Sequence, residues 1–304
     1  MKTDFNLFSS SQGDPTMVLK FIASLIITFA PTLSFAQVLF EGYSKIISGG
    51  VHVGYAIQKY EFNMKKKQFV ATTFLKTNEL AGNLTESLQA FAAEDMTPVS
   101  YKYTTLVGTE VKTIDATFKS GKIIATINHG GKTEKVNREI PKGTFLSSFL
   151  AYMMLKSPSG IKVDTKFEYQ AIAEEDASVE KGIAAVSAIE DYKGLKAFKI
   201  LNEFKKAKFI STVSEKGEVF ATRSPAQSIG TELVSNPSEA TANFGIPSAV
   251  LKQLFGEVPT GQENQIAKLA KSGAAVPAEP TITPGKQQGV PQGKGLQLKG
   301  GSGQ

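Results

Sequence analysis

Two histidines, one acidic run and one glycine-rich stretch are the groups that could support catalysis or hold an ion. His52 and His129 are the only histidines, and neither has a partner at metal-ligand spacing. The run Glu174-Glu175-Asp176 could bind a cation but lacks the spaced ligands of a calcium loop, so we interpret it as a solvated turn. A Ser-His-Asp hydrolase through His129 stays formally open. We predict a protein that is not an enzyme and has no cofactor and no metal.

The stretch SGGVHVGYAIQKYEF, residues 48–62, opens on paired glycines, as a phosphate-binding loop would. Such a loop needs a helix directly after the glycines, because the anion is held by the helix N-terminus and free backbone N–H groups. The residues that follow alternate instead, at Val51, Val53, Tyr55 and Ile57. Alternation of apolar positions is the pattern of a strand. We therefore predict a turn at Gly49-Gly50 and, at Gly54, a bulge or a close approach of two backbones.

The same alternation continues from Val51 to about Val234, with turn residues at short intervals. Clear examples are VSYKYTT, residues 99–105, and the hairpin KTIDATFKSGKIIATIN, residues 112–128, which turns at Ser120-Gly121. Sustained alternation is typical of an antiparallel sheet with one buried and one wet face. We predict a mainly β fold, a curved antiparallel sheet or half-barrel, in a domain over residues 37–255.

One segment, PKGTFLSSFLAYMMLKSPSG at residues 141–160, breaks the alternation. Apolar side chains recur there at helical spacing after a suitable N-cap, Thr144, which predicts a helix over residues 144–156. A single apolar helix between two sets of strands needs a surface, and we place it on the concave face of the sheet. Met and aromatic side chains pack ordinary cores but also line adaptable apolar sites. Both interpretations stay open, and the second predicts a ligand groove lined by Phe145, Phe149, Met153 and Met154.

The N-terminus carries the parts of a secretory signal. Lys20 precedes the apolar run FIASLIITFA, residues 21–30, which is too short to span a bilayer, and Ser34-Phe35-Ala36 offers a small-x-small cleavage site. We predict a signal peptide region over residues 1–36, cleaved after Ala36, with Met17 as an alternative start. The mature chain is then periplasmic and has no membrane span.

Composition narrows the function classes further. The chain has no cysteine, which excludes disulfides, thiol catalysis and Cys-ligated zinc. Its net charge of +6 is spread out, and the tight basic runs Lys65-Lys66-Lys67 and Lys205-Lys206 read as solvated turns, so we predict no nucleic-acid partner. A short helix is expected at residues 246–255. Residues 256–304 are rich in Gly, Pro, Gln and Lys, and we predict that they form a disordered tail, because so few apolar groups cannot offset the ordering entropy.

Several short motifs resemble a known group of domains. These are Gly50 followed by Gly54-Tyr55, the set Asp95, Met96, Pro98, Ser100 and Tyr101, and the hairpin Gly217-Glu218-Val219. Over residues 42–234 the chain is similar to uncharacterised β-rich periplasmic domains of Gram-negative bacteria, found alone or ahead of transglutaminase-like domains. The resemblance implies a half-barrel shaped like the LolA-type lipoprotein carriers. It implies a non-catalytic module, since no Cys-His-Asp domain follows, and it carries over no catalytic residue.

Two functional hypotheses follow from these patterns. The first is a periplasmic binding or chaperone-like module for an apolar ligand: a lipid, an acyl chain or an exposed hydrophobic peptide. The second is a structural or adaptor protein of the cell envelope, which reaches another envelope protein or the cell wall through its C-terminal tail.

Overall fold

The structure is a computed structural model that describes residues 36–273, and these residues form one continuous fifteen-stranded sheet. Ala36, the last residue of the predicted signal region, is the first residue of strand β1. The rest of that region and residues 274–304 of the predicted tail lie outside the described residues. The predicted mainly β fold is confirmed.

The sheet consists of two runs of strands, and the segment that joins them contains the helix Leu150–Lys156. The first run is β1 (Ala36–Ser48), β2 (Val51–Asn63), β3 (Gln68–Thr77), β4 (Leu84–Ala93), β5 (Pro98–Val107), β6 (Glu110–Lys119), β7 (Lys122–His129) and β8 (Lys132–Glu139). The second run is β9 (Phe145–Leu146), β10 (Lys166–Ala173), β11 (Ser178–Tyr192), β12 (Leu195–Phe204), β13 (Ala207–Ser214), β14 (Val219–Ser224) and β15 (Ile229–Val234).

The helices of the described residues are few and short. They are α1 (Leu150–Lys156), α2 (Pro237–Thr241), α3 (Ser248–Phe255) and α4 (Gln265–Lys271), with 3-10 turns at Glu79–Ala81, Ser147–Phe149 and Pro225–Gln227. The helix expected at residues 246–255 is therefore confirmed as α3. None of the helices within residues 36–273 has the length and apolar character needed to cross a bilayer.

The strand order places the two ends of the chain's sheet region side by side. The order is β8-β7-β6-β5-β4-β3-β2-β1-β15-β14-β13-β12-β11-β10-β9, so every neighbour is consecutive in sequence except the pair β1 and β15. All pairs are antiparallel except β9 with β10, which is parallel and two residues long. The pair β1–β15, in which Tyr43 lies opposite Val234, joins the two runs into one sheet.

The predicted alternation is confirmed at residue level. In β5, Tyr101 and Tyr103 are buried while Lys102 and Thr104 are exposed. The hairpin β6–β7 turns at Ser120-Gly121, and its inward side chains Ile114, Ala116, Ile123 and Ala125 are buried. Pleating sends successive side chains to opposite faces, so this alternation fixes which face of each strand meets the core.

The glycine-rich stretch is a hairpin and not a phosphate loop. Gly49 and Gly50 form the turn between β1 and β2 with φ of 56° and 83°, a conformation that glycine adopts without strain. Gly54 lies at a register shift of the same hairpin. A Cβ atom there would lie 2.3 Å from the carbonyl oxygen of Lys76, so the predicted close approach of two backbones is confirmed.

The two faces of the sheet are covered by different segments of the chain. From Tyr55 to the end of β2, even-numbered side chains point to one face and odd-numbered side chains to the other. Gln58 and Tyr60 point to the face that packs on the segment of residues 145–156, and we call this the inner face. Tyr55 and Ile57 point the other way and pack with α2, α3 and neighbouring residues. This is the outer face. Lys112 of β6 bonds the carbonyl of Glu175 beyond β10, so the two runs of strands approach each other across the inner face.

The prediction of a helix over residues 144–156 is wrong for the first half of that range. Phe145 and Leu146 form β9, which pairs with Ala171 and Ile172 of β10, and a 3-10 turn follows before the α-helix starts at Leu150. Thr144 is not the N-cap, and its buried hydroxyl makes no hydrogen bond in the described structure. Tertiary pairing with residues 26 positions further along the chain overrides the local helical pattern here.

The tail predicted to be disordered from residue 256 is instead packed over residues 256–273. Asn264 and Ile266 are buried, and α4 begins at Gln265. Tyr43 donates a hydrogen bond of 2.9 Å to the carbonyl of Pro259. Hydrogen bonds to β1 hold this segment in place although its content of apolar residues is low. Composition alone does not reveal such contacts.

Candidate functional site

An apolar cavity of about 240 Å³ lies between α1 and the inner face of the sheet. Its walls come from β1, β2, β12, β13, β14 and the segment that leads into and includes α1. Most of the lining residues are aliphatic or aromatic: Phe40, Tyr60, Leu150, Ala151, Tyr152, Met154, Ile200, Val213 and Val219. Strands β2 and β12 are five positions apart in the sheet, so they border one cavity only because the sheet is curled. An alternating pattern alone could not show this.

Tilted and edge-on aromatic contacts hold α1 against β2 and β3. The ring of Tyr60 lies 5.0 Å from that of Tyr152 and 6.2 Å from that of Phe149, and Tyr152 also contacts Phe69 at 6.1 Å. The hydroxyl of Tyr60 donates a hydrogen bond of 2.9 Å to the carbonyl of Ser148. Burial raises the pKa of Tyr60, which therefore stays a neutral donor. These contacts fix one side of α1 to the first run of strands.

Glu174 anchors the start of the same segment from the second run of strands. Its carboxylate accepts hydrogen bonds from the hydroxyl of Ser147 and from the backbone N–H of Ser148. Burial raises the pKa of this carboxyl, and the bonds from Ser147 and Ser148 offset part of the shift. The prediction of a solvated acidic turn is thus wrong for Glu174, which is only 4% exposed. Its neighbours Glu175 and Asp176 pair with Lys205 instead.

A second cavity of about 330 Å³ borders the segment from another side. It is formed by the turn at residues 95–98, by Gly121 and by residues 140–145, with Met153 of α1. The turn belongs to the motif that carries the family resemblance, and Asp95 accepts the backbone N–H of Thr97 there. That hydrogen bond is the main cause that lowers the pKa of Asp95.

The structure places the four predicted ligand-binding residues at three different positions. Met154 borders the first cavity, while Phe145 and Met153 border the second. Phe149 is fully buried in the core and borders neither of them. The four residues therefore do not line one shared groove in the described part of the chain. That any of the four binds a ligand stays a prediction.

Sequence reasoning missed the polar groups that share the first cavity with Met154. Gln58, Asn202 and Ser211 lie on β2, β12 and β13, and all three border it. Polar residues at inward positions of otherwise apolar strands are the signal that could have drawn attention to them. The signal is weak, because half-buried polar side chains also occur in packed cores.

The histidines lie away from this site. His52 contacts the ring of Phe244 on the outer face at 5.0 Å, and its Nε2 lies 2.9 Å from the carbonyl oxygen of Gly54. His129 lies at the end of the β6–β7 hairpin, with Nε2 2.8 Å from the carboxylate of Glu110. Within residues 36–273 no group of three or more His, Asp or Glu side chains could hold a metal ion.

These features define a mainly β protein with one large open antiparallel sheet and an apolar segment packed on its inner face. A similar solved structure is the crystal structure of a beta-barrel-like protein of domain of unknown function DUF1849 from Brucella abortus. The alignment has a TM-score of 0.45 and 10% sequence identity, and it covers 64% of this chain and 94% of that chain. No protein-family model matches the chain, and no curated protein matches it in sequence.

Proposed function

We propose that the protein is a non-catalytic binding module that holds an apolar ligand between α1 and the inner face of its sheet. The ligand would be a lipid, an acyl chain or an exposed protein segment, and the periplasmic location rests on the predicted signal peptide. The observation that carries the proposal is the cavity of about 240 Å³ beside α1, which is larger than the roughly 150 Å³ engineered cavity that holds benzene. Its mostly apolar wall suits a hydrocarbon group.

The surroundings of α1 support a site that can widen. Protein interiors are close-packed, and voids larger than a water molecule are few. Here Met154 borders one cavity and its neighbour Met153 borders another, so α1 lacks close packing on two sides. A helix held by fewer contacts is displaced at lower cost, because each missing contact removes dispersion attraction. A longer chain could then enter by a shift of α1.

Filling the cavity should abolish binding. Ala151→Phe adds a ring on the cavity side of α1, where it occupies space that the ligand would need. The probe is N-phenylnaphthylamine, an uncharged apolar dye whose fluorescence rises when it leaves water. We expect saturable binding to the full chain and binding at least about tenfold weaker by Ala151→Phe.

The matched control is Ala226→Phe, the same change at an exposed position in the turn after β14. It should bind the dye like the unaltered chain, and thermal unfolding should show both variants folded. Equal binding by Ala151→Phe and Ala226→Phe, or no binding by the unaltered chain, would contradict the proposal.

The alternative of an envelope adaptor stays a hypothesis. Residues 256–273 of the predicted tail are packed on the sheet, which leaves residues 274–304 to reach a partner.

A further inference from the structure

Among residues 36–273, no charged side chain borders the cavity beside α1. Its polar wall consists of neutral groups alone: Gln58, Tyr60, Ser147, Ser148, Asn202 and Ser211. Moving an ion from water into such a site is costly unless a partner of opposite charge is present. A neutral polar group that finds a hydrogen bond there avoids that cost.

Gln58 and Asn202 offer unused hydrogen-bonding capacity toward the cavity, and the buried hydroxyl of Ser148 also has no partner among the described residues. Gln58 makes no side-chain hydrogen bond with any described residue, so its amide presents both a donor and an acceptor. Asn202 accepts a hydrogen bond of 2.7 Å from Tyr169 through Oδ1, which leaves its Nδ2 donors. A ligand group that accepts a hydrogen bond would match the donors of both amides, and one that also donates would match the free acceptor of Gln58 as well.

Two buried carboxyls lie beside residues that line the cavity. Glu174 accepts hydrogen bonds from the lining residues Ser147 and Ser148. Glu218 lies between the lining residues Gly217 and Val219, and its carboxylate accepts a hydrogen bond from the backbone N–H of Gln265. Burial raises the pKa of both carboxyls. Lys216 and Lys268 act on Glu218 but are exposed, outside the cavity. The buried cation closest in sequence is Lys59, which lies between Gln58 and Tyr60 on β2 but points to the outer face and pairs with Glu61 at 3.1 Å, so it provides no partner for an anion in the cavity.

We propose that the ligand is an uncharged single-chain amphiphile, a hydrocarbon chain that ends in a hydroxyl, ester or amide. The chain lies against the apolar wall, and the polar end meets Gln58 and Asn202. Carboxylate, phosphate and ammonium ends are disfavoured because no opposite charge borders the cavity. This inference rests on the proposed function and adds the chemical class of the ligand to it.

Displacement of N-phenylnaphthylamine by four compounds with the same ten-carbon chain tests the class. The compounds are decanol, methyl decanoate, decanoate and decylamine, used near neutral pH so that the last two are charged. Decanol and methyl decanoate should displace the dye at concentrations at least about tenfold below the other two. Equal potency of all four, or greater potency of either ion, overturns this inference and leaves the proposed function standing. Failure of the dye and all four compounds to bind overturns both.

A charge placed in the wall should reverse the preference. Gln58→Lys supplies a cation at the polar end, so decanoate should become at least about tenfold more potent than on the unaltered chain, while decanol weakens. Gln227→Lys adds the same charge at an exposed site and should change nothing. A gain for decanoate that is equal in both variants would show only a general charge effect and would overturn the inference.

Discussion

Glu174 is the residue whose surroundings differ most from what its neighbours in sequence suggest. It belongs to an acidic run, yet its carboxyl is buried and joins the second run of strands to the start of the 145–156 segment. Such a group acts as an anchor only through its tertiary partners. Replacement by Ala would leave the buried N–H of Ser148 without an acceptor, at about 1–3 kcal/mol.

The raised pKa of Glu174 predicts a pH-dependent stability. The folded protein holds the proton more tightly than the unfolded chain, so the stabilising contribution is complete below the ordinary glutamate pKa and is lost as the pH rises through the folded value. Glu174→Gln is neutral throughout. We expect its free energy of unfolding, measured in urea, to gain on that of the unaltered chain between about pH 4 and pH 8.

The control for this experiment is Glu94→Gln, which changes an exposed carboxyl that faces Lys67 at 4.0 Å. The difference between Glu94→Gln and the unaltered chain should vary little over the same range, because exposed ion pairs contribute little. A constant difference for Glu174→Gln would show that the burial of Glu174 does not perturb its titration.

Among the individual elements, the segment of residues 256–273 forms a strap that is attached to β1. Glu41 of β1 accepts hydrogen bonds from Thr260 and from the backbone N–H of Gly261. Asn264 is fully buried and donates to the carbonyls of Glu41 and Gly261, both at 2.9 Å. The strap is thus fixed by polar contacts to β1, and Val258 and Ile266 add apolar contacts.

Asn264→Ala should weaken the strap strongly. It removes both of those donors and the N-cap of α4, where Oδ1 accepts the backbone N–H of Ala267 at 2.8 Å. At about 1 kcal/mol for each lost bond, the expected loss in free energy of unfolding is about 2–4 kcal/mol. Gln262→Ala, a neighbouring change at an exposed hydrogen bond, should cost less than about 0.5 kcal/mol. Similar values for the two variants would mean that Asn264 does not anchor the strap.

At the scale of the whole molecule, stability depends on the join between the two runs of strands. Strand β15 lies between β1 and β14, so its backbone groups are paired on both sides. Strand β8 forms one edge of the sheet and is exposed and charged, which discourages pairing with other chains. The hairpin at Gly130-Gly131 has two turn residues, so Lys135 lies in a non-hydrogen-bonded pair and its N–H points away from β7.

One proline substitution in β15 and one in β8 compare how much the join and the edge of the sheet contribute to the free energy of unfolding. Thr231→Pro removes a ladder hydrogen bond in the middle of the sheet and should cost about 3 kcal/mol or more, or prevent folding. Lys135→Pro removes no ladder bond and should cost markedly less. Urea unfolding followed by circular dichroism measures both. A larger loss for Lys135→Pro would contradict the assigned strand order.

The strands, their turns and the apolar segment between the two runs follow from local patterns of the amino-acid sequence. Tyr101 and Tyr103 are buried because alternation is a local property of a pleated strand, and Gly54 was recognised because only glycine permits the close approach found there. Tertiary structure decided the rest. Phe145 left the helical pattern to pair with Ala171, and Asn264 ordered a stretch whose composition predicted disorder. Gln58 and Asn202 border one cavity because the sheet is curled. Local patterns specify where a strand lies and which of its faces is apolar, but they do not specify which distant strand it contacts.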